Sequence, residues 1–254
     1  MVKNDLLQKG YSTFSVRETF SAQDIARVHS EFDELEPDFY APNGVKRFRR
    51  YGNGVIVPWR NDAGVEWMPV TIDSRGHGMS GYDQGGNNPE HGNIRYFHAL
   101  SAEVKATDLL ASLVMRDFKD TFWPENGLQS PIYFGVHFVR IISTSISDLG
   151  ISSPDCFHQD GEPFTFAHLV RRSKSTGGGV NYIGSTRVRN MVLGDVSESE
   201  ILERFELSDF MDSFAVHDPR VSHYVTPIVK SEDGLENAER CMILIDYSPM
   251  VQKI

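Results

Sequence analysis

The chain has 254 residues, 40% of them hydrophobic and 24% charged, which is typical of a globular protein with a substantial core. A net charge of −10 without any run of basic residues argues against nucleic acid or an anionic membrane as a partner. Two cysteines, no signal-peptide pattern and no apolar stretch long enough to span a membrane predict a cytoplasmic protein.

The first predicted element is a helix at 21–35, which Ser21 opens as a capping residue with Asp24 three positions later. This segment contains a His-x-Glu pair, His29 and Glu31. Residues two positions apart on a helix point to different sides. We therefore expect no metal site at this pair.

Strands are predicted next, at 47–57 and 67–72. Arg47 and Arg49 share one face of the first strand, because alternate strand residues point the same way. Either guanidinium could bind a substrate carboxylate through two parallel hydrogen bonds. Surface charges on an edge strand are the alternative interpretation.

A polar, glycine-rich loop is predicted at 76–92 and an amphipathic helix at 101–118, where apolar residues recur at helical spacing. We expect residues 1–125 to form a helical and irregular support region within a single domain that covers 1–254. The metal site is expected in the second part, at 126–254.

The second part begins with a predicted strand at 132–144 that carries His137 and Arg140. Arg140 is a further candidate for binding an organic carboxylate, of a cosubstrate or a substrate. His137 lies within an apolar run, which favours a core position.

His158 and Asp160 form a His-x-Asp pair near the end of a predicted strand at 157–160. On a strand, residues two positions apart project to the same face, so both side chains could bind one metal ion. Glu162 follows closely enough to contact a substrate ammonium, or to cap the turn.

Short runs rich in β-branched and aromatic residues dominate the remainder, with one predicted helix at 198–205. This pattern predicts a mainly β fold with flanking helices, an antiparallel double-stranded β-helix or jelly-roll barrel. The remaining predicted strands are 164–171, 179–183, 214–216, 222–226 and 240–247.

A second histidine is needed to complete a metal site. His223 opens the strand that leads to Thr226-Pro227, whereas the rival His217 lies in a His-Asp-Pro turn. With His158 and Asp160, His223 forms the 2-His-1-carboxylate set of non-haem Fe(II) oxygenases, which leaves three coordination positions open. The sequence thus predicts Fe(II) bound by these three residues, with O₂ in one open position.

Arg240 begins a strand after the second histidine. A guanidinium inside an apolar barrel needs an anionic partner, and the far carboxylate of 2-oxoglutarate fits that requirement. An exposed arginine at the start of a strand is the alternative. Asn181 follows three glycines that permit close approach, and could reach the same site.

Several segments together resemble Fe(II)/2-oxoglutarate dioxygenases related to bacterial L-isoleucine 4-hydroxylase. The most specific one is 158–169, which reads His-Gln-Asp-Gly-Glu-Pro-Phe-Thr-Phe-Ala-His-Leu. The other segments are 47–51, 135–140, 177–181 and 223–227. The resemblance implies a double-stranded β-helix, Fe(II), 2-oxoglutarate and hydroxylation of a free aliphatic amino acid.

The sequence therefore predicts a dioxygenase that hydroxylates a small molecule, a free amino acid or a derivative of one, and releases succinate and CO₂. Two alternatives stay open at this point. One is a cupin-like metalloenzyme that does not use 2-oxoglutarate, and the other is a non-catalytic barrel that binds a small ligand.

Overall fold

Fifteen strands and four α-helices build the part of the chain that the computed structural model describes, residues 1–84, 87, 90–124 and 130–250. The helices are α1 (Val2–Lys9), α2 (Ala22–Asp33), α3 (Ala102–Lys105) and α4 (Asp108–Asp120). The strands are β1 (Tyr11–Ser15), β2 (Lys46–Ile56), β3 (Glu66–Trp67), β4 (Thr71–Ile72), β5 (Gly78–Tyr82), β6 (Arg95–Ala99), β7 (Ile132–Ser143), β8 (Phe164–Arg172), β9 (Thr176–Gly178), β10 (Asn181–Gly184), β11 (Ile201–Phe205), β12 (Asp212–His217), β13 (Ser222–Val225), β14 (Ile228–Lys230) and β15 (Ala238–Pro249).

The largest sheet in the described chain has ten strands, in the order β1-β12-β8-β15-β7-β2-β6-β5-β4, with β3 paired to β2. A smaller sheet, β11-β10-β13, and the pair β14-β9 complete the strand pairing of the described residues. Apart from the parallel pair β2-β6, the named strand pairs are antiparallel, and a cavity is lined from both sheets, as in the jelly roll that the sequence predicts.

Strand alternation gives the large sheet two different faces. Ile243, Ile245 and Tyr247 of β15 join the core cluster that α2 and α4 cover. Met242 and Leu244 of the same strand face the cavity instead. The central strands therefore carry apolar residues on both faces, one for helix packing and one for the cavity floor.

Of the two helices predicted in the first half of the chain, one is present as predicted and the other is divided in two. Helix α2 matches the predicted segment, and the Ser21 hydroxyl accepts a hydrogen bond from the Asp24 amide as expected of a cap. The helix predicted at 101–118 is two helices, because the Thr107 hydroxyl caps a new start at the Leu110 amide. No helix in the described part of the chain has the length and apolar character to cross a membrane.

The helix predicted at 198–205 is wrong. Residues Glu198–Glu200 form one 3₁₀ turn, and Ile201–Phe205 is strand β11, paired with β10. Ile201 and Phe205 are four positions apart, a spacing that puts them on the same side of either a helix or a strand. Pairing with β10 decided between the two.

The first half of the chain is also richer in strands than expected. Residues Gly78–Tyr82, within the predicted loop at 76–92, form β5 and pair with β6. Backbone pairing does not need apolar side chains, so the glycine-rich composition hid this strand. Since β1 and β2 also pair with β12 and β7, the segment 1–125 contributes to the main sheet and is not only a helical and irregular support.

Candidate active site

Three potential metal ligands meet in the cavity between the sheets. His158 and Asp160 lie in the loop before β8, and His223 lies on β13. One ligand atom of each lies within 4.8 Å of the others. The Nε2 atoms of His158 and His223 are 3.6 and 3.5 Å from oxygens of the Asp160 carboxylate. The structure thus brings together the three residues that the sequence selected.

Backbone hydrogen bonds position the two histidines. The amide of each donates to the carbonyl oxygen of the other at 3.0 Å, so the expected strand at 157–160 is a single bridge between His158 and His223. The Nδ1 atom of His158 donates to the carbonyl oxygen of Cys156 at 2.9 Å. A histidine that donates from Nδ1 can offer the lone pair of Nε2 to a metal, and Nε2 is the His158 atom that faces Asp160.

Asp218 holds the loop that carries the carboxylate ligand. Its two carboxylate oxygens accept hydrogen bonds from the amides of Asp160 and Gly161, both at 2.9 Å. Gly161 has φ of +95°, a left-handed conformation that favours glycine. The Thr165 hydroxyl donates to Asp160 Oδ2 at 2.9 Å and orients the side chain itself.

The electrostatic environment favours the protonation states of metal ligands. Burial, together with His158, lowers the pKa of His223 to about 4, which keeps its imidazole neutral. Burial alone would raise the pKa of Asp160, but His223, His158 and the Thr165 hydroxyl hold it below its ordinary value. A neutral imidazole and an ionised carboxylate are the forms that bind a metal ion.

One strand crosses the cavity floor between two polar positions. Along β15, Arg240, Met242, Leu244 and Asp246 all face the cavity. At about 3.3 Å per residue, the backbone positions of Arg240 and Asp246 are roughly 20 Å apart. Asn181 of β10 and Tyr224 of β13, in the smaller sheet, also line this cavity.

Arg240 is a buried guanidinium with a polar side-chain neighbour but no carboxylate partner among the described residues. It is 5% exposed, its Nη2 donates to the Asn181 amide oxygen at 3.3 Å, and its Nε has no hydrogen-bond partner. Burial, with the nearby Arg172, lowers its pKa to about 10. A buried cation in this state is stabilised by an anion brought in by a ligand.

A second group of arginines lies on the neighbouring strands β2 and β6. The Arg47 guanidinium is paired with Asp38 at 2.7 Å, whereas Arg49 and Arg95 form no ion pair among the described residues. Arg49 lies over the Phe97 ring at 4.3 Å, and the Nη2 group of Arg95 donates to the Gln84 side chain. The Nε atom of Arg49 and the Nη1 atom of Arg95 are buried without hydrogen-bond partners among the described residues, so this wall of the cavity can bind an anion.

His137 connects these arginines to Asp246. Arg49 Nη2 is 2.6 Å from His137 Nδ1, and His137 Nε2 is 3.1 Å from Asp246 Oδ2. Since a guanidinium only donates, Nδ1 must accept, and the single ring proton lies on Nε2 and points to Asp246. Burial, with Arg49 and Arg95, lowers the pKa of His137 well below its ordinary value, in agreement with a neutral ring.

Comparison with known sequences identifies the family. The profile of 2OG-Fe dioxygenases matches residues 29–246, which include the three proposed ligands and Arg240. The chain belongs to the 2OG-Fe dioxygenase family. Among curated proteins, no sequence matches this 2OG-Fe dioxygenase.

Solved structures share its fold. IDO from Bacillus thuringiensis superposes with a TM-score of 0.71 at 20% identity, over 98% of this chain and 95% of that one. A bsmA homologue from Methylobium petroleophilum PM1 gives 0.70 at 18% identity, over 100% and 94%. TqaL, an Fe(II)/α-ketoglutarate-dependent dioxygenase, gives 0.70 at 13% identity, over 99% and 87%. At these identities the structural similarity shows a common fold.

Family membership settles the class of enzyme that the sequence left open. The chain is a 2-oxoglutarate-dependent non-haem iron dioxygenase, and the family uses Fe(II), 2-oxoglutarate and O₂. The side chains present suit Fe(II) and 2-oxoglutarate, because the three ligand atoms converge. The Arg240 guanidinium, which has no carboxylate partner among the described residues, could bind a carboxylate of 2-oxoglutarate. The cupin-like and non-catalytic alternatives are therefore set aside.

Arg140 does not share the cavity with the other predicted residues of this dioxygenase. It lies between His137 and Ile141 on β7 but points to the helix side, where it donates to Glu239 at 2.9 Å. Residues of one parity on this strand face the cavity, and Arg140 has the other parity. The expectation that Arg140 contacts a ligand carboxylate is therefore corrected.

Glu162 is placed differently from the expectation too. It is 7% exposed and is not among the side chains that line the cavity. Burial, followed by Asp246 and Asp160, raises its pKa well above the ordinary range. Because the Glu162 side chain does not line the cavity, it is not placed to contact a substrate ammonium.

Sequence reasoning missed Arg95, Asp218 and Asp246. Asp246 is the only acidic residue of an otherwise apolar run at 241–247, a pattern that could have marked it as a buried functional group. The other two residues gave no comparable signal, because their roles depend on loops and strands that meet only in the folded chain.

Proposed function

We propose that His158, Asp160 and His223 bind Fe(II), and that Arg240 binds the far carboxylate of 2-oxoglutarate with Asn181 beside it. The observation that supports this division is that two separate groups of guanidinium nitrogens near one triad have no hydrogen-bond partner in the part of the chain that the structure describes. Arg240 lies on β15, whereas Arg49 and Arg95 lie on β2 and β6, with β7 between. A single cosubstrate requires only one of these groups.

The second group supports a substrate that is itself a carboxylate. We infer that Arg49, with Arg95 and the ion-paired Arg47 next to it, binds the carboxylate of a small amino-acid-like molecule. Fixing the molecule at this end leaves its remainder free to reach the triad, and a fixed orientation selects one C–H bond for oxidation.

The bound iron and 2-oxoglutarate supply the oxidising chemistry, in which O₂ converts 2-oxoglutarate to succinate and CO₂ and one oxygen atom enters the substrate. The side chains of the protein have other tasks. The triad and Arg240 orient the cosubstrate, and Arg49 with Arg95 and Arg47 orients the substrate. The apolar side chains of Met242 and Leu244 on the cavity floor limit access of water.

The test is a screen of the purified protein with Fe(II), ascorbate, 2-oxoglutarate and each proteinogenic amino acid in turn. We expect a product heavier by one oxygen atom, formed in step with succinate. His223→Ala should abolish both. His217→Ala is the matched control, because its ring packs on Phe164 at 4.8 Å outside the triad, and it should stay active.

Two outcomes would contradict parts of the proposal separately. Stimulated succinate formation without an oxygenated product, across aliphatic, polar and aromatic amino acids, would exclude a free amino acid as substrate. An active His223→Ala variant would overturn the assignment of the second histidine ligand.

A further inference from the structure

Asp246 is a buried carboxyl group in the cavity. It is neither a proposed metal ligand nor part of the proposed 2-oxoglutarate site. It is 3% exposed and lines the cavity, and its Oδ1 atom has no hydrogen-bond partner among the described residues. Its strand neighbour on β8 is Thr165, whose hydroxyl binds the Asp160 carboxylate. An unused acceptor therefore lies close to the triad.

The hydrogen bonds around Asp246 decide which of its two oxygens can still accept a hydrogen bond. His137 donates to Oδ2, because Arg49 occupies the other ring nitrogen as a donor. Asp246 thus accepts from the protein on one oxygen and offers the other oxygen as an acceptor. Burial, followed by Asp160, raises its pKa to about 7, so a cationic donor beside it would favour the ionised form.

The cavity therefore presents opposite charges a short distance apart. Within the described chain, Arg49 and Arg95 offer unpaired donors and Asp246 offers an unpaired acceptor, and one imidazole ring separates Arg49 from Asp246. Arg47 adds no further free charge to this pair of sites, because Asp38 neutralises it. A carboxylate and an ammonium on the same carbon atom fit such a pair, with one hydrogen-bonded contact at each end.

We propose that Asp246 binds the protonated α-amino group of the substrate while Arg49 and Arg95 bind its α-carboxylate, so that the enzyme selects α-amino acids with an unmodified amine. This inference rests on the proposed function and assigns the ammonium site to Asp246 in place of Glu162. An acylated amine has no positive charge for Asp246 to bind, and its acyl group would occupy the space next to Asp246.

The wild-type enzyme provides the first test. For the best amino acid of the screen, we compare its N-acetyl derivative and the 2-hydroxy acid that carries a hydroxyl in place of the amine. Loss of one charged hydrogen bond predicts a Michaelis constant roughly ten- to a hundredfold higher for the 2-hydroxy acid. The N-acetyl derivative should not be oxidised. Equal or better turnover of either analogue would overturn the inference.

The second test is Asp246→Asn, which keeps the size of the side chain and an acceptor for His137. The Michaelis constant for the amino acid should rise roughly ten- to a hundredfold, while that for the 2-hydroxy acid should change little. A merely positioning role of Asp246 would raise both constants together, which would overturn the assignment. Glu239→Gln is the matched control, since Glu239 lies on the same strand but pairs with Arg140 and Arg171 outside the cavity.

Slow succinate formation without any substrate separates the two proposals. It requires the triad and Arg240, so we expect it in the wild type and in the Glu239→Gln control alike. Its absence from the wild type, even with every amino acid added, would overturn the proposed function and this inference with it. Its presence without stimulation by any amino acid would overturn the inference alone.

Discussion

At the scale of single residues, the direction of each hydrogen bond decides what a side chain can still bind. Arg240 has one nitrogen on Asn181 and another without a partner, and no described carboxylate neutralises it. Arg140 has the same side chain, but its charge is paired with Glu239 on the other face of the sheet. The two arginines therefore have the same chemistry, but only Arg140 has an ionic partner among the described residues.

This difference gives a prediction for Arg240. Arg240→Lys keeps the charge but loses the planar fork of donors, so the Michaelis constant for 2-oxoglutarate should rise while Fe(II) stays bound. Losing a desolvated contact of this kind costs about 2–5 kcal/mol. Succinate formation over a range of 2-oxoglutarate concentrations measures the change. Arg140→Lys is the control, and a larger effect there would reverse the assignment.

At the scale of elements, a buried polar cluster fastens α4 to the main sheet. His168 of β8 donates to Asp117 of α4 at 2.8 Å and to the Ser213 hydroxyl of β12 at 2.9 Å. Ser213 has a single proton, which it donates to the carbonyl oxygen of Met211 at 2.8 Å. His168 and Asp117 are fully buried, so the ring shares no hydrogen bond with water. Its inaccessibility makes this Ser-His-Asp arrangement a structural one.

Asp117→Asn should therefore destabilise the fold without altering the site. A buried hydrogen bond to a charged group contributes about 1.5–3 kcal/mol, and we expect a loss of that order in the free energy of unfolding measured with urea. The exposed Asp108 at the start of the same helix provides the control, since Asp108→Asn should cost less than about 1 kcal/mol. Similar losses in the two variants would contradict a fastening role.

At the scale of the whole molecule, ion pairs of buried and partly buried carboxylates should make the fold sensitive to acid. Burial alone would raise the pKa of Asp38, but Arg49 and Arg47 hold it below its ordinary value. Burial is likewise outweighed at Glu239, where Cys241, Arg171 and Arg140 lower the pKa. A carboxyl group whose pKa is depressed by folding stabilises the protein above its unfolded pKa, and that stability is lost as the pH falls.

We therefore expect the free energy of unfolding to decrease as the pH falls below about 4, the ordinary range of Asp and Glu side chains. Urea denaturation at a series of pH values measures the slope. In Asp38→Asn the acid-dependent loss should be smaller, because one of the responsible groups no longer titrates. An unchanged slope in that variant would show that Asp38 is not responsible for the acid sensitivity.

The sequence alone determined the features that depend on local spacing. His158 and Asp160 were recognisable because two residues separated by one position project together from an extended chain. Ser21 was recognisable as a cap because its contact lies three residues away. The β-rich jelly roll was predictable from short apolar strands between turn residues, and the family match bears it out.

Only the tertiary structure decided which residues share the cavity. Arg240 and Arg140 both lie on predicted strands, but the register of β7 and β15 sends one side chain to the cavity and the other to the helices. Asp246 and Arg95 acquired their places through pairing between β15, β7, β2 and β6, whose partners lie far apart in the chain. The face and the partner of a strand residue are set by this long-range pairing, which the local sequence pattern does not encode.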